Sequence, residues 1–355
     1  MFRTDHSTTM TSTEAAAVTG GAPAAEPVAP GSGPTAVHNE HVPKEHVHKR
    51  AADEVLLTGW ERVAEDSYRV SARWPRDHRA YAARHGHHDP MLLVETVRQT
   101  FPLLSHAAFE VPLGHHLIWD HFSYALIPGG LRTGARDAVP AQRGSERAAR
   151  QGRGYDEVQV DAVCQDLVRR GNRVVALTLA YVVTRDGEPI ATAQTRFTVQ
   201  TPAIYRRLRA GRGDAGEMMA RAVRLAPPIP VARAGRALPR EVALSATDRA
   251  RRWQLRVDTN HPVHFDHPVD HAPGSLLLDA ARQAAQALSH PAPVVAVAME
   301  CDFTRYVELD EPCVVEVTQL PRDPARRDRV GVILQQGTGA PSCSVIVTVA
   351  PLPTD

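Results

Sequence analysis

Lysine, aromatic residues and cysteine are all scarce in this chain of 355 residues. Lys44 and Lys49 are the only lysines among 41 basic residues, aromatic residues make up 5%, and there are four cysteines. The cysteines show no C-x-x-C spacing and no paired histidines at zinc-finger intervals, so we interpret them as reduced thiols of a core. The 41 basic residues face 40 acidic ones, and a net charge of +1 gives no field that would attract nucleic acid.

Long apolar runs are also missing. No segment reaches the ~18 consecutive apolar residues that a membrane span needs, and the N-terminus lacks the basic stretch followed by an apolar one that marks a secretory leader. Residues 1–45 contain no aliphatic or aromatic run that could build a core, which predicts a disordered N-terminal extension. We therefore expect a soluble cytoplasmic protein with no membrane partner and no nucleic-acid partner.

The sequence repeats itself at an offset of 184 residues. At that offset the stretch His87–His106 matches His271–His290 without a gap, with eight identical residues in twenty. Apparent strands lie on both sides of each stretch, and Gly171-Asn172 and Asp186-Gly187 are hairpin turn signals between β-branched runs. One long helix and an antiparallel meander are therefore encoded twice.

This organisation predicts an α+β fold of two similar domains. We expect domain 1 over 46–202 with a surface loop over 128–154, a linker over 203–242, and domain 2 over 243–355. The loop is rich in Gly, Pro and Arg and has no apolar period. The linker begins with an Arg-dense part that suits a short helix and continues with a Pro-rich part that should be extended. With 43% hydrophobic residues, the chain can build a core in each domain.

Each predicted helix carries an acid, an arginine and a glutamine on one face. The first helix has Glu95, Arg98 and Gln99, and the second has Asp279, Arg282 and Gln283. Spacings of three and four residues place all three side chains together. One interpretation is a solvated stripe with an ion pair worth a few tenths of a kcal/mol. The other is an acid/base site, because both copies keep the trio while their apolar neighbours differ, and because the strands leave little of the helix surface to solvent.

The segments that lead into the two helices hold candidate substrate contacts. Asp89-Pro90 and Pro273-Gly274 mark the two helix starts, where free backbone N–H groups attract developing negative charge. The same segments are rich in histidine, but no pair lies at i,i+4 on a predicted helix, so we expect no metal site. His267 is either a partner of the helix carboxylate acting on an acyl thioester, or a plain loop residue or helix cap.

Several strings of the chain, taken in order, resemble one known family. These strings are HKRAADEVLLTGW, WPRDHRAY, HDPMLLVETVRQT, VPLGHHLIW and FDHPVDHAPGSLLLDAARQAA. In this order they resemble the A-factor biosynthesis (AfsA-type) hotdog family, the γ-butyrolactone autoregulator synthases of actinomycetes. The resemblance spans residues 48–351 and implies a tandem double hotdog, in which each unit is a long central helix wrapped by an antiparallel β-sheet.

The resemblance implies an acyltransferase. Its reaction would move a β-ketoacyl chain from acyl carrier protein to the hydroxyl of dihydroxyacetone phosphate, and other enzymes would convert the ester into a γ-butyrolactone signal. The family's proposed catalytic groups match Glu95, Asp279 and Arg282, although the second acid is often Glu in the family. We expect Arg98, Gln99, Gln283, His267 and Gly274 to bind substrate, with Arg98 or Arg282 suited to the phosphate.

Other interpretations stay open at this point. A hotdog dehydratase or thioesterase on carrier-bound acyl chains, or a non-catalytic regulatory member of the family, would share the same fold. No G-x-S-x-G string supports a serine acyl-enzyme, and no G-x-G-x-x-G string after a strand supports a nicotinamide, so we expect direct transfer and no cofactor. The exposed arginines expected at 206, 207 and 209 either meet an acidic carrier protein or form a solvated charge run. Both a monomeric double hotdog and a homodimer fit the sequence.

Overall fold

The structure is a computed structural model of the chain, and it describes residues 37–38, 42–133 and 154–352. Most of the extension predicted over 1–45 lies outside the described residues. Its last residues are ordered, which corrects the prediction there: Val42 is buried in the core, and Lys44–Val47 forms a 3-10 turn. The disorder prediction fails at these residues because Val42 and Val47, on either side of them, are both buried in a core built by other segments.

Five α-helices and thirteen strands are present in the described residues. The helices are α1 (Pro90–Ala107), α2 (Pro202–Arg209), α3 (Ala215–Ala220), α4 (Val231–Ala234) and α5 (Gly274–Ser289). The strands are β1 (Val37–His38), β2 (Leu57–Ala64), β3 (Ser67–Pro75), β4 (His116–Leu126), β5 (Tyr155–Arg170), β6 (Arg173–Arg185), β7 (Glu188–Gln200), β8 (Leu244–Ala246), β9 (Arg252–Leu255), β10 (Val294–Phe303), β11 (Val314–Leu320), β12 (Asp328–Gln335) and β13 (Cys343–Pro351). Further 3-10 turns cover Ala52–Glu54 and Pro239–Glu241. No described helix is long and apolar enough to cross a membrane.

All thirteen described strands form one antiparallel sheet, in the order β1-β2-β3-β5-β6-β7-β4-β10-β13-β12-β11-β9-β8. Apart from β1, the two halves have the same order, mirrored about the β4–β10 pair. The first strand after each long helix does not pair with the next strand of the meander; it crosses to the last strand of its own half, as β4 pairs with β7 and β10 with β13. The free edges of β4 and β10 then pair with each other, which satisfies backbone groups that two separate sheets would leave unpaired.

The helices α1 and α5 are the central helices of the two halves. Asp89 caps α1 by accepting a hydrogen bond from the backbone N–H of Met91, and Pro90 occupies the first helical turn, where its missing N–H costs nothing. Most residues of α1 and α5 are buried, with Leu92 and Leu278 fully so. The predicted tandem α+β fold of long helices on an antiparallel sheet is therefore confirmed.

The segments predicted as loop and linker are more structured than expected. The loop predicted over 128–154 is packed at its start, where Leu131 is buried and its carbonyl accepts from the N–H of His88 at 2.8 Å; residues 134–153 lie outside the described chain. The linker contains α2, α3 and α4, and α2 is the short helix that its Arg-dense part predicts. The described residues all belong to one compact unit.

Candidate active site

The two acids of the repeat occupy the same place on the two central helices. Glu95 follows the first residue of α1 by five positions, and Asp279 follows the first residue of α5 by five positions. Each acid is only 2% exposed. A buried carboxylate is costly unless it is paired and hydrogen-bonded, so the surroundings of each acid must supply cations and N–H donors. This burial excludes the solvated stripe that the sequence left open.

The arginine one turn after each acid pairs with it, but the two geometries differ. Arg98 binds Glu95 through two parallel hydrogen bonds, from Nε to Oε2 at 2.9 Å and from Nη2 to Oε1 at 2.7 Å. Arg282 directs both Nε and Nη2 at Oδ1 of Asp279, at 3.2 and 3.0 Å. The shorter Asp side chain therefore leaves its second oxygen, Oδ2, without an arginine.

A second cation reaches each acid, from the segment before β2 in the first half and from the segment before β8 in the second. Lys49 Nζ lies 2.9 Å from Oε1 of Glu95, and Arg236 Nη2 lies 2.5 Å from Oδ1 of Asp279. Arg236 also binds Asp89 at 2.9 Å, and so ties the start of α1 to the acid of α5. The side chains of Lys49 and Arg236 are buried, whereas those of Arg98 and Arg282 are 17% and 11% exposed. Each acid thus has one buried cation and one that reaches solvent.

These cations keep both acids ionised. Burial raises the pKa of Glu95, but the charges of Arg98 and Lys49 outweigh it and hold the pKa well below its usual range. Burial likewise raises the pKa of Asp279, and the charges of Arg236 and Arg282 hold it well below its usual range. A carboxylate in this state is a weak proton acceptor for as long as it keeps both cations.

The glutamines of the repeat hold the acids and the neighbouring backbone in place. Gln99 accepts from Leu56 N at 2.9 Å and donates to the Glu54 carbonyl and to Glu95, both at 2.8 Å. Gln283 repeats this pattern with Ala243, Glu241 and Asp279. Both side chains are fully buried and both N–H groups of each amide are used. Each glutamine therefore positions its acid and the backbone that precedes the neighbouring strand.

The histidine beside Asp279 is His264. Its Nε2 lies 3.5 Å from Oδ2 of Asp279 and 3.4 Å from the Tyr81 hydroxyl, and its Nδ1 lies 3.3 Å from the Ser275 hydroxyl. Burial and the charge of Asp279 raise the pKa of Tyr81 well above its usual value, and Glu95 acts in the same direction. Tyr81 of the first half and His264 of the second thus meet beside Asp279.

Comparison with known proteins assigns the family. The profile described as the A-factor biosynthesis hotdog domain matches residues 34–201 and 219–349. The chain belongs to the A-factor biosynthesis hotdog family. It is 41% identical over 283 residues to a 2-oxo-3-(phosphooxy)propyl 3-oxoalkanoate synthase of Streptomyces virginiae, covering 79% of this chain and 88% of the relative. It is 37% identical to a synthase of the same name from Streptomyces coelicolor, covering 79% of this chain and 82% of that relative.

One solved structure that superposes on this chain is that of a putative oleoyl thioesterase from Lactobacillus plantarum. The thioesterase is 13% identical in sequence to this A-factor family member. The superposition covers 81% of this chain and 96% of the thioesterase chain, with a TM-score of 0.47. This likeness is too distant to bear on activity.

His267 and Gly274 of the A-factor family member lie away from the pairs just described. His267 Nδ1 is 2.5 Å from Asp266, and no hydrogen bond or ion pair within the described residues joins it to Asp279. Asp266 also accepts a hydrogen bond from the backbone N–H of Arg50 at 2.8 Å, next to Lys49, so His267 lies on the Glu95 side of the molecule.

Gly274 starts α5 in contact with the first half of the sheet. A Cβ at this position would lie 2.7 Å from the indole ring of Trp119 on β4. The close approach of α5 to β4 therefore requires glycine, which gives Gly274 a packing role. No side chain caps α5, whereas Asp89 caps α1. The first backbone N–H groups of α5 therefore have no capping side chain.

Three side chains that sequence reasoning missed complete the paired sites: Lys49, Arg236 and His264. Lys49 and Arg236 are 187 residues apart, as are Glu54 and Glu241, whose carbonyls accept from the two glutamines. An alignment of the two halves whose offset could change from 184 to 187 residues would have matched Lys49 with Arg236. His264 corresponds to Tyr81 at an offset of 183, because each follows a histidine whose Nδ1 accepts from its backbone N–H.

Proposed function

We propose that this member of the A-factor family transfers a β-ketoacyl chain from acyl carrier protein to the hydroxyl of dihydroxyacetone phosphate. The observation that carries the proposal is the 41% identity, over 88% of its length, to a synthase whose name states such a product: an ester of a 3-oxoalkanoate with a 2-oxo-3-(phosphooxy)propyl group. The buried acid-arginine pairs support it, because the reaction needs a proton acceptor and a cation for the phosphate. We also propose that this reaction takes place in the cytoplasm.

The reaction balances without a cofactor or a redox step. The acceptor hydroxyl oxygen attacks the thioester carbonyl carbon, and the C–S bond to the carrier breaks. The proton leaves the hydroxyl and ends on the thiol of the carrier. A donor for the oxyanion is needed during this step, and the uncapped N–H groups at the start of α5, near Gly274, fit that role.

The acceptor's phosphate activates the carboxylate in this proposal. Arg98 and Arg282 reach solvent, so a phosphate dianion can share their guanidinium groups. An arginine that binds the phosphate interacts less strongly with Glu95 or Asp279. The pKa of that acid then rises toward the range where the carboxylate accepts a proton. Lys49 and Arg236 stay with the acids because they are buried. Glu95, Asp279 and Arg282 are the proposed catalytic residues, and Arg98 is the proposed phosphate contact of the first site.

Mass spectrometry of the reaction products tests the function. The purified chain is incubated with a β-ketoacyl carrier protein, with and without dihydroxyacetone phosphate. We expect thioester to be consumed and a phosphorylated ester to form only when dihydroxyacetone phosphate is present. Equal thioester loss in buffer alone would assign a thioesterase activity and reject the transferase.

Paired isosteric variants locate the working site. Glu95→Gln and Asp279→Asn each remove one negative charge while they keep the shape of the side chain. We expect the variant at the working acid to lose at least 100-fold in kcat, the size typical of a lost general base, and the other to keep most of it. Full activity in the double variant would reject both acids as catalytic groups.

A further inference from the structure

The short helix α2 has one face fixed to the body of the protein. Tyr205 donates its hydroxyl hydrogen bond to the carboxylate of Asp270, with both oxygens at 2.8 Å. Arg209 binds Asp270 through Nε at 2.9 Å and binds Glu308 through Nη1 and Nη2 at 2.8 and 2.7 Å. Both anchors are buried, so Arg209 is not the exposed arginine that the sequence suggested. They lie four residues apart and hold one side of α2 against the loop that leads into α5.

The opposite side of α2 combines exposed apolar and basic side chains. Ile204 and Leu208 are 41% and 55% exposed and lie four residues apart, so they form one apolar strip. Arg207 is exposed next to it and Arg206 is exposed on the far flank of the same helix. Neither arginine has an ion-pair partner in the described part of the chain. We call Ile204, Arg206, Arg207 and Leu208 the outer α2 face. An apolar strip flanked by unpaired charges of one sign is typical of a surface that binds a partner of opposite charge.

The outer α2 face lies near the start of α5. The ring of Tyr205 stacks on His116 of β4, with ring centres 3.5 Å apart and planes within 5°. Trp119, which follows His116 by three positions in β4, lies against Gly274, the first residue of α5. Asp270 precedes the first residue of α5 by only four positions.

We propose that the outer α2 face is the docking surface for the acyl carrier protein. The proposal rests on the transferase function proposed above, which requires a protein that presents its acyl chain on a flexible phosphopantetheine arm. Carrier proteins are acidic, so Arg206 and Arg207 complement their charge, and Ile204 and Leu208 supply apolar contact next to Arg207. The anchoring by Tyr205 and Arg209 to Asp270 keeps this surface in a fixed position relative to the start of α5, whose N–H groups are the proposed oxyanion donors.

Charge reversal tests the docking surface. The variant Arg206→Glu/Arg207→Glu is compared with Arg249→Glu/Arg326→Glu, which changes the net charge equally at two exposed arginines of the second half. Each protein is assayed with the same β-ketoacyl chain on a Streptomyces fatty-acid carrier protein and on N-acetylcysteamine, which carries no protein. We expect the first variant to lose about tenfold or more in kcat/KM with the carrier donor only, and the second variant to match the original chain.

The other outcomes overturn the proposal. Equal loss with both donors would mean that the arginines support the fold or the active site, and no loss with either would mean that the carrier docks elsewhere. Binding of the carrier protein by calorimetry gives a readout that does not need turnover. If the original chain transfers from neither donor but binds the carrier through α2, the transferase fails and the docking surface stands. Binding of the original chain to anionic lipid vesicles but not to the carrier would replace docking with a membrane contact.

An apolar variant gives a second, independent test. Ile204→Ser/Leu208→Ser leaves the charges and both anchors intact. We expect the same selective loss with the carrier donor. The factor by which carrier binding weakens should be similar at low and high salt, whereas the loss caused by charge reversal should shrink as the salt concentration rises. Unchanged carrier binding in this variant would remove the apolar strip from the docking surface.

Discussion

Lowering the pH from 7 to 5 should destabilise this protein by about 2 kcal/mol through His261 alone. His261 is 7% exposed, and its Nδ1 accepts hydrogen bonds from the N–H groups of Val263 at 3.3 Å and His264 at 3.2 Å. A ring that accepts at Nδ1 must be neutral or give up both bonds. Burial and the charge of His264 lower the pKa of His261 to about 3, against a weaker opposing effect of Asp279.

The sign follows from which state binds the proton. Below about pH 6.5 the histidine of the unfolded chain is protonated, whereas His261 in the folded protein stays neutral down to pH 3. The unfolded state therefore binds one more proton, and stability falls as the pH falls through this window. Each pH unit below 6.5 costs about 1.4 kcal/mol, so the loss reaches about 2 kcal/mol at pH 5.

Urea unfolding at pH 7 and pH 5 measures this loss, with His261→Asn as the matched variant. The Asn side-chain oxygen sits close to the place of Nδ1 and can accept the same two N–H groups, but it does not titrate in this range. Other groups titrate equally in both proteins and cancel. We expect the original chain to lose about 2 kcal/mol more than the variant between the two pH values. Equal losses would refute the argument that His261 is held neutral.

Three further substitutions test the packing of the site, each by urea unfolding. Arg236→Met removes a buried partner of Asp279 and should cost about 3–5 kcal/mol, while a loss below about 1 kcal/mol would show that the remaining arginine suffices. Gln283→Leu leaves a buried backbone N–H and a carbonyl unpaired and should cost about 2–5 kcal/mol; a neutral result would mean that water replaces the amide. Gly274→Ala places a Cβ 2.7 Å from the ring of Trp119 and should cost about 1–3 kcal/mol, unless the indole ring moves without cost.

Local sequence patterns were sufficient for much of the fold. The turns Gly171-Asn172 and Asp186-Gly187 join β5 to β6 and β6 to β7, as predicted, because hairpin turns depend on a few adjacent residues. The pairing of Glu95 with Arg98 also followed from spacing, since residues three apart on a helix are neighbours in any fold.

The order of strands did not follow from sequence. A meander was expected after each helix, but β4 and β10 leave their neighbours in the chain and pair with each other across the two halves. That choice depends on which sheet edges remain open after both halves fold, and no local pattern encodes it.

The sequence by itself determined the duplication, the two central helices and the acid-arginine-glutamine trio on each, because all of these depend on composition, periodicity and short spacings. Only the tertiary structure decided that the trios are buried, that Lys49 and Arg236 give each acid a second cation, and that His264 stands beside Asp279. Arg236 is 43 residues from Asp279 and 147 from Asp89 in the chain, yet it binds both. Contacts over such separations depend on how sheet and helices pack, and packing sums many weak interactions that no single stretch of sequence contains.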